Sequence, residues 1–75
     1  MYIIQEIQTN NGQSALLPPI TKEDKLGAES EWHIKMGYAA ISDVQVHTVI
    51  MYDEHGTVVK QGYYEHIPEA NNVAE

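Results

Sequence analysis

The sequence predicts an α+β domain of ββαββ order, in which a four-stranded antiparallel sheet carries one long helix on one face. Two strand-like runs separated by turn residues precede the only long helical segment, and two more follow it. Strands joined by tight turns pair antiparallel, and a helix between two such hairpins packs on their sheet. We expect residues 1–66 to form this domain and residues 67–75 to be a disordered acidic tail.

The first hairpin is predicted around an Asn-Gly turn. Residues 2–9 are rich in isoleucine, aromatic and threonine side chains, which favour a strand. Asn10-Asn11-Gly12 predicts a tight turn because Asn and Gly tolerate positive φ angles. Residues 13–17 then return as a short second strand. Pro18-Pro19 ends this strand, since proline cannot donate a ladder hydrogen bond.

The central helix is predicted from about Thr21 to Ser42, with an N-terminal cap at Thr21 or Asp24. On a helical wheel its polar wedge is narrow and contains Glu31, Lys35 and Ser42, whereas most other positions are small or apolar. A helix that is apolar on most sides is usually covered on most sides. The wheel therefore predicts that more than one layer packs against this helix.

The second hairpin is predicted from residues 44–53 and 57–66, joined by a turn with glycine at its end. Large apolar side chains occupy both faces of its first strand, and one helix covers only one face. Gly62 indicates a bulge or the close approach of another backbone. A single 75-residue core without a disulfide is also only marginally adequate. We therefore expect a homodimer, the commonest symmetric assembly.

Charge and composition exclude several classes of function. The formal net charge is −7, from 11 acidic and 4 basic residues, so the basic footprint of nucleic-acid and membrane-surface binding is missing. The chain has no cysteine, which excludes disulfides and thiolate metal sites. Its longest apolar runs are too short to span a membrane, and its first residues do not resemble a signal peptide. We expect a soluble intracellular protein without nucleic-acid or membrane partners.

Five polar side chains are the candidates for chemistry, and one of them, His55, lies in the tip of the second hairpin, where we expect solvent around it. Glu29 and His33 are neighbours on the apolar side of the helix, where we interpret them as a buried, charge-assisted pair that orients the helix. His47 and His66 are predicted at one end of the second hairpin. The four other than His55 have the ligand types of a metal site, but no recognised ligand spacing is present. Without a nucleophile or an oxyanion-binding device, we expect no catalytic residue, no cofactor and no enzyme activity.

Aromatic and small side chains define a candidate interface. The small residues of Gly37-Tyr38-Ala39-Ala40 permit close packing, either of the helix on the sheet or of two helices across a dimer. An aromatic ligand pocket formed by Trp32, Tyr38, Tyr63 and Tyr64 is a further alternative, although core or interface positions are more typical of aromatic residues at this spacing. The predicted interface residues are Trp32, Met36, Gly37, Tyr38, Ala40 and Ile41.

Several short motifs occur in a particular order: Ala28-Glu29-Ser30 with His33, then Ala39-Ala40 and Ser42, then His47, Gly56, Tyr64 and His66. Their order resembles that of short uncharacterised phage- and prophage-encoded proteins of Firmicutes, over most of the chain from Tyr2 to His66. The chain departs from that pattern at Gly37-Tyr38, where alanines are usual. The resemblance implies a small virion-associated, tail-region or accessory protein, located in the host cytoplasm or the virion, and it implies no catalytic residue.

Three functional hypotheses follow. The first is a non-enzymatic structural or protein-interaction protein that self-associates or joins phage structural proteins. The second is a metal- or small-molecule-binding module that uses Glu29, His33, His47 and His66. The third is an acidic regulator of a basic partner, which would bind through the excess of carboxylates.

Overall fold

A computed structural model describes residues 1–66 of the chain and confirms the α+β fold. The predicted acidic tail, residues 67–75, lies outside the described residues. The described part contains one helix and five strands rather than four. In chain order the elements are β1 (Tyr2–Asn10), β2 (Gln13–Leu16), β3 (Ile20–Lys22), α1 (Lys25–Ile41), β4 (Val46–Asp53) and β5 (Val58–Glu65).

All five strands form one antiparallel sheet in the order β2-β1-β4-β5, with β3 also paired to β1. β2 lies beside residues 7–10 of β1, and β3 lies beside residues 2–4 of the same strand. The two short strands therefore make one interrupted edge. Pro18-Pro19 occupies the interruption, where neither residue has an N–H to donate.

The helix covers residues 25–41 rather than the predicted 21–42. Ile20–Lys22 is extended and completes the sheet edge, so the helix begins after it. Asp24 is the N-cap, and its side chain accepts a hydrogen bond from the Gly27 N–H at 2.9 Å. A Cβ atom at Gly27 would lie 2.9 Å from the Asp24 carboxylate, which explains the glycine at that position.

Both hairpin turns form where the sequence predicts them. Asn11 and Gly12 have φ angles of 54° and 79°, the signature of a two-residue type I′ turn. In the second turn Gly56 has a φ angle of 86°, and the Gly56 N–H donates to the Asp53 carbonyl at 2.9 Å. The register then shifts between Met51 and Tyr52, so the irregularity of this hairpin lies near its turn and not at Gly62.

The apolar core lies between α1 and one face of the sheet and consists of Ile4, Ala28, Trp32, Val49 and Met51. The indole Nε1–H of Trp32 donates to the Val49 carbonyl at 3.1 Å. A Cβ atom at Gly62 would lie 3.1 Å from Trp32 and 3.0 Å from Met36. Gly62 therefore marks a close approach, as predicted, but side chains of the helix approach it instead of another backbone.

Candidate interaction surfaces

The buried polar residues of the core come from the sheet. Glu6 and His47 are only 8% and 3% exposed, and His47 Nε2 hydrogen-bonds Glu6 Oε2. The helix adds Lys35, whose Nζ lies 3.5 Å from Glu6 Oε1 and 3.7 Å from Glu31 Oε2. One carboxylate therefore joins a cation from the helix and an imidazole from β4. The charge of Glu6 is balanced by Lys35, which lowers the cost of its burial.

The prediction of a buried Glu29–His33 pair is wrong. His33 is exposed and Glu29 is half-buried, and no hydrogen bond or ion pair joins them in the described structure. The helix instead turns Glu31 and Lys35 towards the sheet, where Glu6 provides a partner. The polar positions Glu31 and Lys35 of the helix therefore lie on the side of the helix that faces the sheet.

The four candidate metal ligands lie in separate places. His47 bonds to Glu6 in the core, whereas the Nε2–H of His66 donates to the Ala39 carbonyl at 2.9 Å, near the end of the helix. The ring of His66 also stacks on Tyr64 at a centroid distance of 6.4 Å. Among residues 1–66, no three His, Asp or Glu side chains are arranged to hold a metal ion.

The candidate aromatic residues are divided between the core and the surface. Trp32 is buried, with Lys60 Nζ placed 5.0 Å from its ring centroid, and Tyr38, Tyr63 and Tyr64 are exposed. No pocket is found in the part of the chain that the structure describes. The aromatic residues considered for a ligand pocket therefore do not line a common cavity in the described structure.

The side of the helix that faces away from the sheet is apolar and exposed. Leu26, Ile41, Tyr38 and Ile34 are 80%, 82%, 63% and 50% exposed. No Asp, Glu, Lys or Arg lies among the residues of this side, and a Cβ atom at Gly37 would have open space around it. We call this side the outer helix face. Its residues are Leu26, Ser30, His33, Ile34, Gly37, Tyr38, Ala40 and Ile41.

The predicted interface residues divide between this face and the core. Tyr38, Ala40, Ile41 and Gly37 lie on the outer helix face and remain candidates for an interface. Trp32 is buried and packs against the sheet of its own chain, and Met36 is half-buried beside the same core. Those two side chains are therefore already covered within one chain.

The sheet has a second apolar side, opposite the helix. Ile3 faces Tyr52 across the β1–β4 pair, and Ile50 lies two residues along the same side. These side chains are half-buried by their neighbours within the sheet. The strand pairings show which other residues lie on this side of the sheet. Among them, Glu65 is the one charged residue. We call this side the open sheet face.

The shifted pKa values belong to exposed groups near the β4–β5 turn. The backbone N–H of Thr57, and to a lesser degree that of His55, lowers the pKa of Asp53 by donating to its carboxylate. A contact of 2.6 Å between Glu54 and the Met1 ammonium lowers the pKa of Glu54 and raises that of the ammonium. These contacts lie at the end of the molecule that contains the β4–β5 turn.

Comparisons with protein-family models, with curated proteins and with solved structures found no match for this chain. Within residues 1–66, no helix has the length and hydropathy needed to cross a membrane.

Proposed function

We propose that this chain is a small structural or protein-interaction protein without enzymatic activity, and that it self-associates as a homodimer through its outer helix face. The observation that carries the proposal is the exposure of apolar side chains there, with Leu26 and Ile41 at 80% and 82%. Contiguous apolar patches are uncommon on monomeric proteins and usually mark interaction sites.

Charge favours a second copy of the chain as the partner. Each copy has a formal net charge of −7, so two copies repel unless they meet where charges are absent. The outer helix face is such a place. A basic partner would instead be drawn to the carboxylates, which lie elsewhere on the surface.

The shape of the face suits helix-on-helix packing. Ser30 and Gly37 are small residues between the large side chains of Leu26, Ile34 and Tyr38. Packed helices have axes about 8–10 Å apart, and small residues at the contact allow the shorter separations. The open space above Gly37 leaves room for a large side chain from the partner.

The resemblance to phage and prophage proteins supports a virion-associated or accessory setting for such a dimer. In that setting other phage structural proteins are further candidate partners.

Sedimentation equilibrium over a range of protein concentrations tests the proposal with Ile41→Lys. This position is 82% exposed, and a cation in the last helical turn is favourable, so the variant monomer should remain folded. We expect a lower average mass than for the wild type, because the interface would contain a charge. Gln13→Lys makes the same change of charge at an exposed residue of β2 and should leave the mass unchanged.

Two results would contradict the proposal: a wild type that stays monomeric at its highest soluble concentration, or equal masses for Ile41→Lys and wild type. The dependence on salt concentration distinguishes self-association from the binding of a basic partner. Added salt should strengthen self-association, since it screens the repulsion between acidic copies, whereas it weakens attraction to a basic protein.

A further inference from the structure

The two edges of the sheet are built differently. The β2/β3 edge consists of strands of 4 and 3 residues with prolines between them, and short strands and prolines discourage pairing with other chains. The opposite edge is β5, an uninterrupted strand of 8 residues. Lys60 and the nearby register shift protect its first half. Residues 61–65 contain no proline and no register shift, and Glu65, at the end of the segment, is the one charged side chain among them.

The direction of the backbone groups on β5 follows from one hydrogen bond. The His66 N–H donates to the Gln45 carbonyl at 2.7 Å, so this is a hydrogen-bonded pair of the β4–β5 ladder. Bonded and non-bonded pairs alternate along antiparallel strands. The N–H and C=O groups of Gln61, Tyr63 and Glu65 therefore point away from β4, at the free edge.

We propose that residues 61–65 of one copy pair antiparallel with residues 61–65 of a second copy, with Tyr63 facing Tyr63 across a two-fold axis. The inference rests on the self-association proposed above and adds a second two-fold contact, separate from the outer helix face, through which such dimers would associate further. In this register Gln61 faces Glu65 of the second copy. The backbone N–H and C=O groups that point to the free edge in one copy then lie opposite the corresponding groups of the second copy, so they can form ladder hydrogen bonds.

The side chains agree with this register. Tyr63, which is 63% exposed, gains an aromatic partner directly opposite, a favourable cross-strand pair. The amide of Gln61 can donate to the carboxylate of Glu65. Tyr64 lies opposite Gly62, on the face of the sheet where Trp32 and Met36 pack over the glycine. Moving the axis to Glu65 would place two carboxylates face to face, and like charges directly opposite are destabilising.

The edge joins the two copies without covering either apolar face. Antiparallel strands related by a two-fold axis perpendicular to the sheet keep both helices on the same side. The open sheet faces of the two copies then form one larger surface. This arrangement extends the sheet from one copy into the next, as expected when an unprotected edge accepts an additional strand.

Gln61→Pro tests the pairing because it removes an outward N–H while the ladder to β4 keeps its bonds. Gln61→Ala is the matched control, since it removes the same side chain but keeps the N–H. We expect Gln61→Pro to sediment with a lower average mass than Gln61→Ala at equal concentration. Equal masses would overturn the edge contact.

Amide hydrogen exchange on the wild type gives a second test that needs no variant, so a proline variant that fails to fold does not decide the matter. In a monomer the amides of Gln61, Tyr63 and Glu65 should exchange quickly. When nine-tenths of the chains are paired, their exchange should slow about tenfold. Fast exchange of these amides in the assembled protein would overturn the inference.

The variants separate this inference from the proposed function. A lower mass for Ile41→Lys but not for Gln61→Pro would retain the helix contact and overturn the edge contact. The reverse result would retain the edge contact and overturn the helix contact. A wild type that remains monomeric would overturn both.

Discussion

His47 and Glu6 meet between the helix and the sheet, where the imidazole Nε2 bonds to the carboxylate, although 41 positions separate them in the chain. They lie on adjacent strands, β4 and β1, and both project towards the helix. Lys35 reaches the second carboxylate oxygen of Glu6 at 3.5 Å. This carboxylate is the polar connection between the two layers of the domain.

Removal of that carboxylate should destabilise the fold. Glu6→Ala leaves Lys35 and His47 without their common partner in a largely buried place, so we expect a loss of about 3 kcal/mol in the free energy of unfolding. Glu31→Ala removes the other partner of Lys35. The Glu31 side chain is 22% exposed and lies 3.7 Å from Lys35 Nζ, so its removal should cost less than about 1 kcal/mol. Urea denaturation measures both losses, and equal losses would show that Glu6 is no more important than the Glu31–Lys35 ion pair.

His33→Ala should have little effect on stability, in contrast to the loss expected from a buried Glu29–His33 pair. The residue is exposed, makes no hydrogen bond in the described structure and meets the Trp32 ring edge-on at a centroid distance of 5.0 Å, so we expect a loss below about 1 kcal/mol. His47→Ala should cost about 1–3 kcal/mol, because it leaves the buried Glu6 carboxylate with one partner fewer. Thermal melts of the two variants give the comparison, and the opposite ranking would contradict the observed orientation of the helix.

Local sequence patterns were sufficient to predict most of the fold. The turn at Asn11-Gly12 needs positive φ angles that few other residues tolerate, and the second turn ends on Gly56 for the same reason. β3 was missed because a strand of 3 residues has no periodicity to detect. It forms because β1 is longer than β2, which leaves the first residues of β1 with a free edge to pair.

The helical wheel separated polar from apolar positions correctly but did not fix which side faces the sheet. That direction depends on Glu6 and His47, which bond to each other on β1 and β4, far from the helix in sequence. The Glu6 carboxylate attracts Lys35 to the buried side. On its face of the strand each of these two residues has one large apolar neighbour, Ile4 beside Glu6 and Val49 beside His47, and this was the available signal. Both faces of β4 are rich in apolar residues, so alternation did not identify the buried face. Exposure of apolar residues such as Ile41 follows from the same orientation.

Two glycines should respond oppositely to alanine. Gly62→Ala places a methyl group 3.1 Å from Trp32 and 3.0 Å from Met36, so we expect a loss of about 1–3 kcal/mol. Gly37→Ala adds a methyl group in open space within the helix, where alanine is favoured by up to about 1 kcal/mol. Urea denaturation at low protein concentration measures the folded monomer. A stabilised Gly62→Ala would mean that the helix can move away from the sheet at no cost.

The Asp53 carboxylate should make stability depend on pH in the acid range. Backbone N–H groups of Thr57 and His55 hold the pKa of Asp53 below its ordinary value of 3.8, so the folded state favours the ionised form. Its contribution is complete above the ordinary pKa and is lost as pH falls through the lowered pKa of the folded state. Asp53→Asn keeps an oxygen that accepts a hydrogen bond but does not titrate. Urea midpoints measured from pH 5 downwards should therefore fall less steeply for Asp53→Asn than for wild type.

Asp43→Asn, which makes the same change at an exposed residue outside the turn, is the matched control for that slope. It has the same change of net charge, so a general effect of charge on acid unfolding would appear equally in both variants. A flatter slope in Asp53→Asn alone would assign the effect to the hydrogen bonds of the β4–β5 turn. Equal slopes in the two variants would show that Asp53 gains nothing from those bonds when the chain folds.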